Sequence, residues 1–254
     1  MITSLGNERV KLARALQSQA KTRRKEQKIA LEGVRLIRDA VERGGYVPEF
    51  ILYDPDVVDA SEFLRYTDQV FEATPEIIRY VTETEQPQGI VAVLPMPASK
   101  LPASPRRVLI LDAIRDPGNE GTILRTAAAA GVDAVLLSPG CVDLYNNKVL
   151  RGGMGAHFRL TIAARSWAEI DDYCRDLTVY LADMDGDRSY DAVDWTQPHA
   201  LIIGGEAHGA SADAESLAAA RVFIPMAAEA ESLNAAIATG VLLFEASRQN
   251  RAAR

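Results

Sequence analysis

Apolar and polar positions alternate on two different schedules along the chain, and the change falls near residue 95. In the first part, Val10, Leu12, Ala13 and Leu16 form a stripe that predicts a helix over 7–20. A strand over 28–31 leads into a helix at about 33–43, which Gly44-Gly45 ends. Short strands fit 49–53, 69–72 and 89–94, with helical pieces at about 56–66 and 75–81. These elements predict a small α/β sandwich.

The second part has the strand–helix–strand rhythm of a parallel sheet. Short apolar runs predict strands at 107–112, 134–137, 158–162, 179–182, 200–203 and 222–224. Helices fit from about 118 to 130, at 166–176 and at 211–220. A last helix is expected over 232–249, where Leu233, Ile237, Val241 and Phe244 recur every three or four residues. Between the two parts, residues 95–105 hold four prolines, Pro95, Pro97, Pro102 and Pro105. That density sustains neither a helix nor a central strand. The expected organisation is therefore an N-terminal domain at 1–95, a proline-rich linker at 96–105 and a C-terminal domain at 106–254.

Composition narrows the class. No apolar run reaches membrane-spanning length, and the charged start lacks a secretory core, so the cytoplasm is the expected location. Cys141 and Cys174 form no CxxC pair and the three histidines no HExxH pattern, so no metal site is expected. The net charge of −7 is unevenly spread. Eight of the 28 basic residues and only two of the 35 acidic ones lie in residues 1–28, leaving 20 basic against 33 acidic in the rest. A basic arm on an acidic body suits local phosphate binding, although a charge run is also what a solvated helix face looks like.

Three segments of the C-terminal part carry candidate chemistry. In Asp112-Ala-Ile-Arg-Asp-Pro-Gly-Asn119-Glu-Gly-Thr-Ile-Leu-Arg125, a strand ends and a turn leads into a helix. Asn119 and Arg125 then lie near a helix start, where exposed backbone N–H groups attract anions. The plainer alternative makes Asn119 a helix cap and Arg125 a surface ion pair. In Leu201-Ile-Ile-Gly204-Gly-Glu206-Ala-His-Gly209, a strand breaks into glycines and one carboxylate, which fits a ligand loop or a simple turn. In Phe223-Ile224-Pro-Met226-Ala-Ala-Glu-Ala-Glu-Ser232-Leu233-Asn234, Ser232 fits a helix N-cap, while no structural need for an amide at Asn234 is evident.

In this order and spacing, the three segments resemble the three motifs of the SpoU (TrmH-like) family of RNA 2′-O-ribose methyltransferases. The stretch from Asp143 through Lys148 and Arg151 to Gly155 is similar to an intervening family segment, and Gly205 stands where the family often has a polar residue. Ser4-Leu-Gly-Asn-Glu-Arg-Val-Lys-Leu and Ala30-Leu-Glu-Gly-Val-Arg-Leu resemble the family's accessory substrate-binding domain, related in fold to a ribosomal protein that binds kinked RNA. The resemblance implies an α/β parallel-sheet domain with a deep trefoil knot, plus a small N-terminal α/β RNA-binding domain. It also implies S-adenosylmethionine as cofactor, held by Gly204, Ile224, Met226 and Leu233, and a homodimer packed through the knotted domain.

Arg125, Asn119, Glu206, Ser232 and Asn234 would then be the catalytic set. Arg9, Lys11, Lys21, Arg23, Arg24, Lys25 and Arg151 would meet RNA. A guanidinium is a poor base near neutrality, so Arg125 is expected to orient ribose and phosphate, with its role as proton acceptor left open. Ribosomal RNA is the expected target and transfer RNA the alternative. A knotted RNA-binding protein without activity, or a nucleotide-using α/β enzyme with Gly204-Gly205 as a phosphate loop, are the competing readings.

Overall fold

A computed structural model of the chain describes residues 1–82, 84, 86–205, 209–227 and 232–253. The chain divides into two compact units, Met1–Ala98 with Tyr145–Leu150, and Ser99–Leu144 with Arg151–Arg254.

The first unit is built on a four-stranded sheet of β1 (Lys28–Glu32), β2 (Phe50–Tyr53), β3 (Val70–Glu72) and β4 (Ile90–Pro95), in the order β1-β4-β2-β3. β4 runs antiparallel to both neighbours, and β2 and β3 are parallel. Its helices are α1 (Glu8–Ser18), α2 (Ala20–Glu26), α3 (Val34–Glu42) and α4 (Pro75–Thr82). Val10, Ala13 and Leu16 of α1 pack with Ile77, Ile78 and Val81 of α4 onto Val91 and Val93. α3 also packs on β1 and β4, so both faces of the sheet are covered. This double cover is why residues 90–94 are an unbroken apolar run rather than an alternation.

The helix expected over 7–20 differs from the structure. It stops at Ser18, Gln19 is extended (φ −123, ψ 108), and a second helix follows that no apolar stripe announces. Arg23 explains the break. It is only 3 % exposed, and its guanidinium donates to the carbonyls of Leu16 at 2.5 Å and Gln17 at 3.1 Å. A helix leaves its last carbonyls unpaired, and here a buried cation satisfies them. In the 56–66 region only a 3-10 turn, Ser61–Arg65, forms.

The second unit carries seven parallel strands: β5 (Arg107–Leu111), β6 (Ala134–Leu137), β7 (Ile162–Ala164), β8 (Thr178–Ala182), β9 (Arg188–Ser189), β10 (His199–Ile203) and β11 (Ala220–Phe223). Their order is β7-β6-β5-β10-β8-β11-β9. Its helices are α5 (Pro117–Ala130), α7 (Trp167–Cys174), α8 (Ala212–Leu217) and α9 (Ala235–Ala252), while α6 (Asn147–Gly153) begins in the first unit and ends in the second. A Ser166–Glu169 capping box starts α7, and Ser211 caps α8. α5 and α9 pack together, with Gly240 placed so that an added Cβ would lie 3.8 Å from Thr126 Cγ2. The strand expected at 158–162 begins only at Ile162. Gly155 is left-handed (φ +82), and Phe158 N donates to Gly155 O at 3.1 Å, so the 3-10 turn Ala156–Phe158 forms there instead.

Arg23→Ala should destabilise the first unit by about 2–3 kcal/mol, because charge-assisted bonds to buried carbonyls are lost. Arg24→Ala, at an exposed neighbouring position, should change stability by less than about 0.5 kcal/mol. Urea unfolding of both variants checks this; equal effects would contradict the capping role.

Candidate active site

Strands β10, β8 and β11 lie side by side, with Ile203 paired to Ala182 and Ala182 to Val222. Their C-terminal ends are therefore level, and the segments leaving them wall a cavity of about 730 Å³. Ligands bind at this edge of open parallel sheets, and the volume falls within the roughly 300–1,000 Å³ typical of small-molecule sites. Gly204, Ile224, Met226 and Leu233 all line the cavity, and so do Ser232 and Asn234. The glycines have a packing reason. A Cβ on Gly204 would lie 2.9 Å from Ala210 N, and one on Gly205 would lie 3.0 Å from Ala113 O. Neighbouring loops, rather than a ligand, already demand glycine there.

Asp112, at the end of β5, ties these loops together. It is buried, its Oδ1 accepts from Ser138 Oγ at 3.1 Å and its Oδ2 from Ser211 N at 2.7 Å. Ser138 Oγ also accepts from Ala113 N at 3.1 Å. Ala113 sits at φ +51, a conformation costly for a residue with a Cβ. A carboxylate closing an apolar run was the only sequence signal for this role.

Helices α5 and α9 start beside each other. Asp116, not Asn119, caps α5, accepting from Asn119 N at 2.8 Å. Asn234, not Ser232, caps α9: its Oδ1 accepts from Ala236 N at 2.9 Å and Ile237 N at 3.3 Å. The structural need for an amide at 234 is thus a cap. Asn234 Nδ2 then donates to Asn119 Oδ1 at 3.0 Å, which joins the first and third motifs side chain to side chain. Arg125, in the middle of α5, is exposed and has no ion-pair or hydrogen-bond partner among the described residues. Glu206, the remaining member of the expected catalytic set, lies outside the described residues.

Two charged features escaped the sequence reading. Arg221 lines the cavity and pairs with Asp183 at 3.0 Å and Glu215 at 3.5 Å, both also on the wall. Glu120, next to Asn119, is 0 % exposed and neither of its carboxylate oxygens has a partner among the described residues. Burial, with a contribution from Asp143, raises its pKa from 4.5 to about 8. Among the described residues no cluster of three or more metal-ligating side chains occurs, and no helix is long and apolar enough to cross a membrane.

The cations expected to meet RNA behave differently from one another. Lys21 and Arg24 are exposed, as are Lys11, paired with Glu8 at 2.8 Å, and Lys25, 3.5 Å from Glu26. Arg9 is exposed and stacks over the Phe71 ring at 4.3 Å. Arg151 is exposed. Arg23 is the correction, since its buried capping role removes it from any surface.

The parallel-sheet unit, with a cavity at its strand ends, matches solved SpoU methyltransferase structures, which are of the trefoil-knot class. The comparisons give the family: the SpoU rRNA Methylase family matches residues 106–244, and this chain belongs to it. An MRM3-like substrate binding domain matches residues 7–92. Among relatives, the 23S rRNA (guanosine(2553)-2'-O)-methyltransferase RlmP of Bacillus subtilis is 35 % identical over 96 % of this chain and 97 % of its own. The mitochondrial rRNA methyltransferase 3 of Mus musculus is 36 % identical over 90 % of this chain and 69 % of its own. Among solved structures, the SpoU methyltransferase AviRb from Streptomyces viridochromogenes in complex with AdoMet has a TM-score of 0.90 at 30 % identity, covering 98 % of this chain and 100 % of that one. The AdoMet-bound rRNA methyltransferase from Sinorhizobium meliloti has a TM-score of 0.87 at 33 % identity, covering 97 % of each.

Glu120 makes stability depend on pH. The folded state keeps a proton that the unfolded state sheds above about 4.5, so this contribution falls as pH rises from there to about 8. Glu120→Gln should remove that slope, gaining on the order of a few kcal/mol over the native protein at pH 8 and little at pH 4.5. Chemical unfolding at the two pH values checks it; an equal offset at both would contradict the buried neutral acid.

Proposed function

We propose that the protein transfers the methyl group of S-adenosylmethionine to a ribose 2′-hydroxyl of 23S ribosomal RNA. The observation that carries the reading is the cavity at the ends of β10, β8 and β11, with Asn234 on its wall hydrogen-bonded to Asn119. The donor set fits the cofactor. Ile224, Leu233 and Met226 offer apolar walls, Gly204 and its neighbours offer backbone groups, and Arg221 with its two carboxylates offers charge for a zwitterionic ligand. When bound, the cofactor supplies an electrophilic methyl on a sulfonium.

The chain's own residues align and stabilise. Arg125 orients the ribose and an adjacent phosphate and stabilises the oxyanion as the proton leaves; such alignment supplies several kcal/mol. Asn119 and Asn234 position the substrate, while Ser232, on the cavity wall, and Glu206 organise the pocket. Arg9, Lys11, Lys21, Arg24, Lys25 and Arg151 make phosphate contacts. The substrate-binding domain at 7–92 and the RlmP relative support a ribosomal substrate. A homodimer through the knotted domain is supported by α9, which exposes Ile237 at 58 % and Phe244 at 46 % on one stripe. The full-length likeness to a bacterial enzyme supports the cytoplasm as its location.

The wild type should move labelled methyl groups into ribosomal RNA, recovered as 2′-O-methylated nucleoside. Arg125→Ala should lower turnover by at least about 10²-fold, while calorimetry finds cofactor affinity within about twofold of wild type. Full activity in the variant would overturn the assignment.

A further inference from the structure

The two motif asparagines form a chain of hydrogen bonds whose direction can be followed atom by atom. A carboxamide has an accepting end and a donating end of nearly the same shape, so its neighbours decide which way it faces. At Asn234 the neighbours are the unpaired N–H groups of Ala236 and Ile237, 2.9 and 3.3 Å from Oδ1. Only an oxygen satisfies two donors, so Nδ2 must face the other way, toward Asn119. Asn119 then has to present its own oxygen, and the 3.0 Å bond is Nδ2 of Asn234 donating to Oδ1 of Asn119. Both N–H groups of Asn119 Nδ2 are left without a partner among the described residues.

We infer that Asn119 meets RNA only as a hydrogen-bond donor, holding a ribose or phosphate oxygen, and that Asn234 is the positioning residue that imposes this polarity through the helix cap. The inference rests on the methyl-transfer reading above and says what kind of substrate atom the first motif holds. The surroundings match a donor. Asn119 lies in the first turn of α5, where its backbone N–H is already bound by Asp116 and its side-chain N–H groups stay free, and Arg125 follows on the same helix. Asn119 exchanges no proton. The cap on α9 thus serves the neighbouring helix as well as its own.

Two substitutions separate polarity from folding. Asn234→Asp keeps the cap acceptor but offers Asn119 only oxygen, so Asn119 must turn over and present Oδ1 to the substrate. Asn234→Asp should keep the melting temperature of wild type while, at saturating cofactor, kcat/KM for ribosomal RNA falls at least about tenfold. A residue that only capped α9 would leave kcat/KM unchanged in this variant, and that result overturns the inference. Asn119→Asp keeps the bond from Asn234, replaces the outward donors with a carboxylate oxygen, and should lose about 10²-fold; wild-type activity here also overturns it. On an Asn119→Ala background, Asn234→Asp should cost less than about twofold more, since its effect passes through Asn119.

RNA binding without cofactor tells the two acceptors apart. Asn119→Asp weakens it if the oxygen belongs to phosphate, and spares it while lowering kcat if the oxygen is the 2′-hydroxyl. Amide exchange of the side chains in the protein alone gives a reading independent of activity. The Nδ2 proton of Asn234 that bonds Asn119 should be protected and both Nδ2 protons of Asn119 open, with one of Asn119's becoming protected in Asn234→Asp. Protected Asn119 protons in wild type overturn the inference even if methyl transfer is intact. Absent transfer with the expected exchange pattern would instead remove the functional reading.

Discussion

The buried carboxylate of Asp112 holds the C-terminal edge of the parallel sheet in one arrangement. An all-parallel sheet delivers every strand end to the same edge, so the segments leaving β5, β6 and β10 compete for the same space. Asp112 binds Ser138 at the end of β6 and Ser211 at the start of α8. Ser138 in turn fixes Ala113 in a left-handed conformation, and Ala113 O lies against Gly205. A buried carboxyl group is costly unless it is hydrogen-bonded, and these partners donate to both of its oxygens, at 3.1 and 2.7 Å. The cavity wall at Gly204 and Gly205 is therefore set by loop-to-loop contacts that exist before any ligand arrives.

Helix starts supply the other half of the site. α5 and α9 pack closely enough for glycine at 240 to face Thr126, and their first turns meet through Asn119 and Asn234. At both starts a side-chain oxygen takes free N–H groups of the first turn, from Asp116 at α5 and from Asn234 at α9. Residues 1–28 hold a separate concentration of Lys and Arg on a chain whose net charge is −7.

Much of this was legible in the sequence where a periodic signal existed. The apolar runs at 107–111 and 200–203 appear as the buried strands β5 and β10, whereas the stripe that predicted the last helix faces outward: Leu233 precedes α9, Ile237 and Phe244 are exposed, and Ala236, Thr239, Leu242, Leu243 and Ala246 are the buried face. α2 was invisible because its only buried side chain is an arginine, whose partners are carbonyls that no sequence pattern displays. The same reason hid the cap on α9. Ser232 and Asn234 are both good capping residues, and only the backbone path decides between them. Nothing in the sequence distinguished Glu120 from an ordinary surface glutamate, since its burial comes from packing. Arg221 and its carboxylates were likewise anonymous until β8, α8 and β11 brought them to one wall.

Methyl transfer from labelled S-adenosylmethionine to two separate pools, bulk ribosomal RNA and bulk transfer RNA from cells lacking this protein, tests the account most directly. The account predicts label in the ribosomal pool, in a 2′-O-methylated nucleoside, and none in the transfer RNA pool. Label confined to transfer RNA, or found on a base rather than a ribose, would contradict it.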